Sequence, residues 1–238
     1  MRDGAPNLWR MSTLGRGALA PGRFRLLLLA LVLFIVGTAV STGYRQARTV
    51  EFVLLTLTIV VAIWELHAAG QSWTASIVLA SSVILLTLVD LTVRLRHVPI
   101  VASALVTLFA GLVVWLTYSS VMRPHRAIAD RIVGAICVFI LIGLAWASLF
   151  EALDTVRPGS LRFPADTAWA APGSQRYRYF SFVTLATLGY GDVTPTTVLA
   201  GTLAGLEAVS GQLYIGITVA RLVALSLAEQ AGPDGRSK

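Results

Sequence analysis

The stretch Thr187-Leu188-Gly189-Tyr190-Gly191-Asp192 determines how the rest of the chain is interpreted. Its two glycines alternate with other residues, and glycine can adopt backbone angles that are closed to residues with a Cβ atom. Successive carbonyls of such a stretch can therefore face one side, whereas those of a strand alternate. Two apolar segments flank the stretch and a short predicted helix precedes it, which favours a specialised membrane loop over an ordinary extracellular turn.

The order Thr-Leu-Gly-Tyr-Gly resembles the selectivity filter of the potassium-channel family, which reads Thr-Val/Ile-Gly-Tyr-Gly. In that family, rings of backbone carbonyls replace the hydration shell of the ion. The resemblance implies that Gly191 completes a filter in which K⁺ is coordinated by the carbonyl oxygens of Thr187, Leu188, Gly189 and Tyr190. It also implies that Tyr190 faces away from the pore into supporting structure and that Asp192 lies at the outer mouth. Leu188 replaces Val or Ile, which we expect to alter packing behind the filter more than ion coordination.

The composition is that of a polytopic membrane protein. Apolar residues make up 56% of the 238 residues, charged residues make up 13%, and the mean hydropathy is +0.75. No ordinary soluble domain shows these values. The net charge of +7 comes almost wholly from arginine. In a membrane protein such charge sets topology and contacts lipid headgroups, so we predict membrane lipid and no nucleic acid as a partner. The single cysteine, Cys137, excludes an intrachain disulfide.

Six apolar runs are long enough to cross a hydrocarbon core of about 30 Å. We predict spanning helices at residues 26–44, 50–70, 73–93, 98–122, 132–153 and 196–227. The predicted fold class is an all-α polytopic membrane protein, with four amino-terminal transmembrane helices followed by a helix–pore loop–helix domain. The basic flank and apolar run of the first span also fit a cleaved signal peptide. The later spans favour an uncleaved signal anchor instead.

We predict five parts in the chain: a basic cytoplasmic tail (1–25), a four-helix domain (26–122), a cytoplasmic linker (123–131), a pore domain (132–227) and a short cytoplasmic tail (228–238). Proline and glycine in residues 154–173 predict an irregular extracellular turret. Ser174 is predicted to cap a pore helix that ends at residue 186, and the filter follows at 187–192. The arginines of the first tail and of the linker fit a cytoplasmic side, whereas those of the early outer loops do not follow the positive-inside rule.

The resemblance also assigns supporting roles around the filter. Tyr179 and Phe180 stand where the family often has a Trp-Trp pair, which forms an aromatic cuff around the filter. Tyr179 can donate a hydrogen bond to Asp192, whereas Phe180 cannot. Val183 stands where some members carry Glu, so we expect no carboxylate pair with Asp192. The carboxyl end of the pore helix is expected to direct a partial negative charge towards the central cavity.

Three residues of the sixth span are candidates for function. Glu207 is an ionisable group deep in the membrane, where function is the default hypothesis. It can attract cations or hydrogen-bond behind the filter to Thr184 or to a neighbouring subunit; the alternative is a neutral Glu207 satisfied by local hydroxyls. Gly211 stands at the hinge position of the family, with simple close packing as the alternative. Gln212 is expected to face the cavity below the filter.

Six helices with one pore loop invite comparison with voltage-gated channels. Residues 98–122 contain no arginine, so we do not expect strong voltage gating. The resemblance therefore covers residues 132–227, whereas residues 26–122 agree in the number of helices alone. One filter per chain cannot form a ring of oxygens, so the resemblance implies a homotetramer.

The resemblance implies a potassium-selective channel in the plasma (inner) membrane, with both termini cytoplasmic and no cofactor besides the permeant K⁺. A weakly selective cation channel and a non-conducting membrane scaffold that retains the motif remain alternatives. The histidines fall at separate helix ends without nucleophile-base or metal-ligand spacing, so we predict no enzyme. The preference for Arg over Lys and the Ala- and Leu-rich helices suit a GC-rich bacterial genome.

Overall fold

A computed structural model of the chain describes residues 23–41, 44, 46–68, 74–93, 98–122, 128–170 and 173–230. Most of the predicted amino-terminal tail and linker, and the carboxyl end beyond residue 230, lie outside the described residues. The described part contains seven α-helices: α1 (Arg23–Val40), α2 (Ala47–Ala68), α3 (Thr74–Val93), α4 (Val98–Val121), α5 (Ile128–Val156), α6 (Ser174–Leu185) and α7 (Val198–Gln230). It also contains two short strands, β1 (Leu161–Arg162) and β2 (Thr194–Pro195).

The fold class predicted from the sequence, an all-α polytopic membrane protein, is confirmed. Four of the described helices are long and apolar enough to cross a membrane, over Ala47–Glu65, Ala104–Val121, Ile128–Val156 and Val198–Leu227. α1 is a shorter apolar helix, Phe24–Val40. The six predicted spans correspond in order to α1 to α5 and α7, and α6 is the short helix before the filter.

The helices do not end where the apolar runs end. α5 begins four residues before the predicted start at residue 132 and continues to Val156, and α7 continues to Gln230. An apolar run marks the part of a helix inside the hydrocarbon core, while polar residues such as Asp130 and Asp154 extend the same helix beyond that core. The hydropathy pattern therefore indicates where the apolar part of each helix lies, but it does not indicate the residues at which the helix begins and ends.

The amino-terminal helices pack on the outer surface of α5. α1 lies against α2 and α5, and α4 lies against α3 and α5. Their shared apolar core includes Leu31, Ile59, Val83 and Val113, each at most 2% exposed. At the start of α1, the Phe24 carbonyl lies 3.6 Å from the Sγ atom of Cys137 on α5. This contact joins the beginning of α1 to the first half of α5.

The predicted turret is more ordered than its proline and glycine content indicates. The last turn of α5 occupies residues 154–156, β1 follows, and a 3-10 helix forms at Ala168–Ala170. β1 pairs antiparallel with β2, so that Leu161 lies opposite Pro195 and Arg162 opposite Thr194. Local composition cannot reveal this pairing, because the partner strand lies beyond the filter in the sequence. The pairing fixes the turret to the outer end of the filter loop.

Candidate functional site

The short helix α6 leads directly into the Thr-Leu-Gly-Tyr-Gly stretch. It covers Ser174–Leu185, and its amino-terminal cap residue is Gly173, with no side-chain capping bond. The predicted capping role of Ser174 is therefore wrong: its hydroxyl donates to Oε1 of Glu151 on α5 at 2.9 Å. The helix ends one residue before the predicted boundary. The Ala186 amide still donates to the carbonyl four residues earlier, that of Phe182, whereas the Thr187 amide donates to the Thr184 carbonyl three residues earlier.

The backbone after α6 alternates in handedness. The φ angles of Thr187, Gly189 and Gly191 are +57°, +56° and +78°, whereas Leu188 and Tyr190 between them have negative φ. Thr187 is the one non-glycine residue with positive φ in the part of the chain that the structure describes. Positive φ is unfavourable for a β-branched residue, and such outliers concentrate at functional sites. The alternation lets successive carbonyls face the same side.

Amide groups in the first part of this loop donate hydrogen bonds back to α6. Leu188 N–H donates to the Val183 carbonyl at 2.9 Å, and Gly189 N–H donates to the same oxygen at 3.3 Å. Among the described residues, no hydrogen bond ends on a carbonyl oxygen of residues 187–191. The loop is therefore held by its donors, and its acceptors are available to a ligand.

The outer end of the loop is held by Tyr179 and Asp192, as the sequence predicts. The Tyr179 hydroxyl donates to Oδ2 of Asp192 at 2.6 Å, and the Val193 amide donates to Oδ1 at 2.9 Å. The bond from Tyr179 lowers the pKa of Asp192 below its ordinary value. Phe180, the other aromatic residue of the predicted cuff, packs edge-on against Phe150 of α5, with ring centroids 4.9 Å apart.

Trp169 is a contact residue that the sequence analysis did not identify. Its ring stacks on that of Tyr179, with centroids 4.1 Å apart and planes inclined by 14°. Trp169 lies in the 3-10 helix of the turret, outside the Thr-Leu-Gly-Tyr-Gly stretch and the pore helix. An aromatic residue shortly before the pore helix is the signal that was available. Tyr179 is thus packed by a turret ring while its hydroxyl holds Asp192.

Asp154 joins the turret to α6 and was also missed. Its Oδ1 accepts hydrogen bonds from the amides of Gly159 and Ser160, both at 3.0 Å. Its Oδ2 accepts from the Tyr177 hydroxyl at 2.7 Å and from Arg176 at 3.4 Å. The signal in the sequence was a carboxylate placed shortly before a Pro-Gly turn, where Asp commonly binds backbone amides.

Glu207 is fully buried, and its partner differs from the one predicted. The Ser181 hydroxyl lies 2.5 Å from Oε1 of Glu207 and 2.7 Å from the carbonyl oxygen of Gly143. The predicted partner Thr184 lies one turn further along α6, and Ser181 takes its place because it faces both α5 and α7. No partner within the described residues reaches Oε2 of Glu207. The alternative of a Glu207 satisfied by local hydroxyls therefore holds for Oε1, which has Ser181 as its partner, and does not hold for Oε2.

Gly211 and Gln212 lie next to the inner end of the loop. A Cβ atom at Gly211 would overlap the carbonyl oxygen of Leu185, the last residue of α6. The close-packing alternative therefore has a structural basis, and the hinge role stays a prediction. Gln212 Nε2 lies 3.3 Å from Oγ1 of Thr187, which places this amide at the inner end of the filter stretch.

The comparison with known proteins agrees with this geometry. Residues 169–226 match a family model described as ion channel. The match begins in the turret at Trp169 and includes α6, the Thr-Leu-Gly-Tyr-Gly stretch and most of α7. No curated protein and no solved structure matches the chain. The match indicates that this all-α membrane protein carries an ion-channel pore domain in its carboxyl-terminal part.

Proposed function

We propose that the protein is a potassium-selective channel that conducts K⁺ passively across the plasma membrane. The observation that carries the proposal is the backbone of residues 187–191, in which positive φ alternates and the carbonyl oxygens accept no hydrogen bond from the described residues. Carbonyl oxygens on one side of a loop can replace the hydration shell of a cation. The potassium-channel resemblance of the same residues supports K⁺ as that cation.

The electrostatics of α6 favour a cation at the same place. The helix ends at Leu185, immediately before the filter stretch. The carboxyl end of a helix carries a partial negative charge of about half an elementary charge. The turn hydrogen bonds occupy some of the last carbonyls, but no Lys or Arg lies in the last turn to neutralise them. A cation below the filter is therefore stabilised.

Four copies of the chain are needed for a closed ring of carbonyls. The exposure of the single chain supports such an assembly, because Leu188 and Tyr190 are 58% and 68% exposed. The supporting structure expected around Tyr190 must then come from a neighbouring subunit. Large apolar side chains of α7 are also more than half exposed: Leu206, Val209, Leu213, Ile217 and Val219. Neighbouring subunits and lipid together cover such a surface.

The contacts of α1 support a topology with the amino terminus opposite the filter mouth. Thr38, near the end of α1, contacts Gln175 at the start of α6. Phe24, at the beginning of α1, contacts the first half of α5. If the turret and Asp192 are extracellular, residue 23 is on the cytoplasmic side. After seven helices, of which α6 does not cross the membrane, the carboxyl end of α7 is also cytoplasmic.

One observation favours a second candidate, a weakly selective cation channel. Of the predicted aromatic pair, Tyr179 donates a hydrogen bond to the outer end of the filter stretch, whereas Phe180 has no hydroxyl and packs against Phe150 of α5. A filter held by fewer contacts is expected to adapt more readily to Na⁺.

Gly189 offers a test with a matched control. Its φ is +56° and a Cβ atom would meet nothing within 4 Å, and Gly159 in the turret has the same features with φ of +83°. Gly189→Ala and Gly159→Ala should therefore each destabilise the protein by about 1–2 kcal/mol through the left-handed backbone alone. In proteoliposome flux assays we expect Gly189→Ala to lose discrimination between K⁺ and Na⁺, while Gly159→Ala retains it. Equal discrimination by the two variants would contradict the proposal.

A further inference from the structure

Arg178 connects the pore helix α6 to the amino-terminal helices. Its Nη1 atom lies 2.8 Å from Oε1 of Glu51 on α2, and the two side chains are 11% and 23% exposed. Its guanidinium also lies over the ring of Phe34 on α1, 5.1 Å from the centroid. Breaking such a largely buried charge pair on one side is costly, because the remaining charge is left without its partner. The contact joins residues 127 positions apart in the sequence.

A second contact lies one turn earlier on α6. Gln175 Nε2 donates to the carbonyl oxygen of Thr38 at 3.4 Å. Thr38 is in the last turn of α1, where a carbonyl lacks a partner in its own helix. Ser41 donates to the same oxygen at 2.9 Å. The amino-terminal helices therefore hold α6 at two side chains on one face, separated by three residues.

The same short helix also carries the acceptors that hold the filter. Val183, whose carbonyl binds the amides of Leu188 and Gly189, lies five residues after Arg178. α6 is one hydrogen-bonded helix of 12 residues, and rigid secondary-structure elements can carry coupling between sites. A displacement at Arg178 is therefore transmitted to the filter amides without passing through the inner helix α7.

We propose that Glu51 and Arg178 are positioning residues, through which the amino-terminal helices hold the pore helix and thereby set the placement of the filter. This inference rests on the proposed channel function. It gives the amino-terminal helices, which lack the arginines of a voltage sensor, a defined role in conduction: a shift of α2 relative to α5 changes the filter directly.

Variants of the full chain in its native oligomer test the proposal. Glu51→Gln keeps the size of the side chain and removes its charge, and the double variant Glu51→Arg/Arg178→Glu reverses the pair. Thr58→Val is the matched control, because Thr58 lies on α2 and its hydroxyl contacts the Ala30 carbonyl of α1, away from α6. Two readouts are compared: amide hydrogen exchange of residues 175–186, and single-channel open probability in planar bilayers.

We expect Glu51→Gln to speed exchange in α6 and to change open probability by roughly fivefold or more, as coupled sites in proteins commonly do. The reversed pair should return both readouts towards wild-type values, and Thr58→Val should leave both unchanged. Wild-type exchange and open probability in Glu51→Gln would overturn the inference. A wild-type protein without potassium selectivity would instead refute the proposed function, and hydrogen exchange in α6 would still decide whether Glu51 holds the pore helix.

Discussion

Gly211→Ala is expected to be far more damaging than alanine at other glycines of α7. The added Cβ atom would overlap the carbonyl oxygen of Leu185 and lie 3.1 Å from its carbonyl carbon. Forcing one carbon into a packed site costs about 1–3 kcal/mol. Alanine also has a helix propensity about 1 kcal/mol more favourable than that of glycine. The net change in the free energy of unfolding is therefore between about zero and a 2 kcal/mol loss.

Gly216→Ala and Gly205→Ala provide the comparison in the same helix. A Cβ atom at either position meets nothing within 4 Å in the chain. These variants gain the same helix propensity without the clash, so the propensity term cancels in the comparison. Gly211→Ala should consequently be less stable than either control by about 1–3 kcal/mol. Denaturant-induced unfolding in detergent micelles measures this difference.

The same variant separates close packing from a hinge at Gly211. Because Leu185 immediately precedes the turn into the filter, displacement of its carbonyl should also reduce ion flux in Gly211→Ala. If unfolding free energies of Gly211→Ala and Gly216→Ala are equal, the close-packing argument is refuted. Equal stability with a changed open probability would favour the hinge.

Three further predictions concern the polar contacts around the filter. The pKa of Asp192 is lowered in the folded chain, so the stabilisation by the bond from Tyr179 is complete above the ordinary pKa of an aspartate and is lost as the pH falls through the lowered pKa. Tyr179→Phe should therefore cost about 1 kcal/mol at pH 7, and this deficit should shrink as the pH falls below the ordinary aspartate pKa, as thermal unfolding at neutral and acidic pH can check. Asp154→Asn replaces one acceptor oxygen and should cost about 1–3 kcal/mol in urea unfolding, and a value near zero would contradict the role of this cluster. Ser181→Ala should cost about 1–3 kcal/mol by leaving Glu207 without its donor, and Ser181→Ala/Glu207→Leu should recover part of this loss if the buried carboxyl group is the cause.

The sequence predicted the features that depend on residue type and local order. Apolar runs located the long helices, because the hydrocarbon core requires a minimum length of apolar helix. The glycines at 189 and 191 indicated positive φ, which the structure has. The hydrogen bond between Tyr179 and Asp192 followed from the resemblance to the potassium-channel family, which places an aromatic residue at position 179 beside the filter. These inferences need no knowledge of distant contacts.

The features that were missed depend on which distant surfaces meet. Ser181 was not recognised as the partner of Glu207, because the rotation of α6 between α5 and α7 decides which hydroxyl faces the carboxyl group. Trp169 lies in a segment whose composition indicates only a loop, and its contact depends on how the turret folds back. The pair of Glu51 and Arg178 joins two helices whose packing has no local signal. Such contacts follow from tertiary structure.

The reversal potential of the purified protein in a planar bilayer, with K⁺ on one side and Na⁺ on the other, tests the central claim most directly. The account predicts a value close to the potassium equilibrium potential, because carbonyls of the alternating backbone at residues 187–191 accept no hydrogen bond within the described chain. A large current that reverses near zero would contradict potassium selectivity.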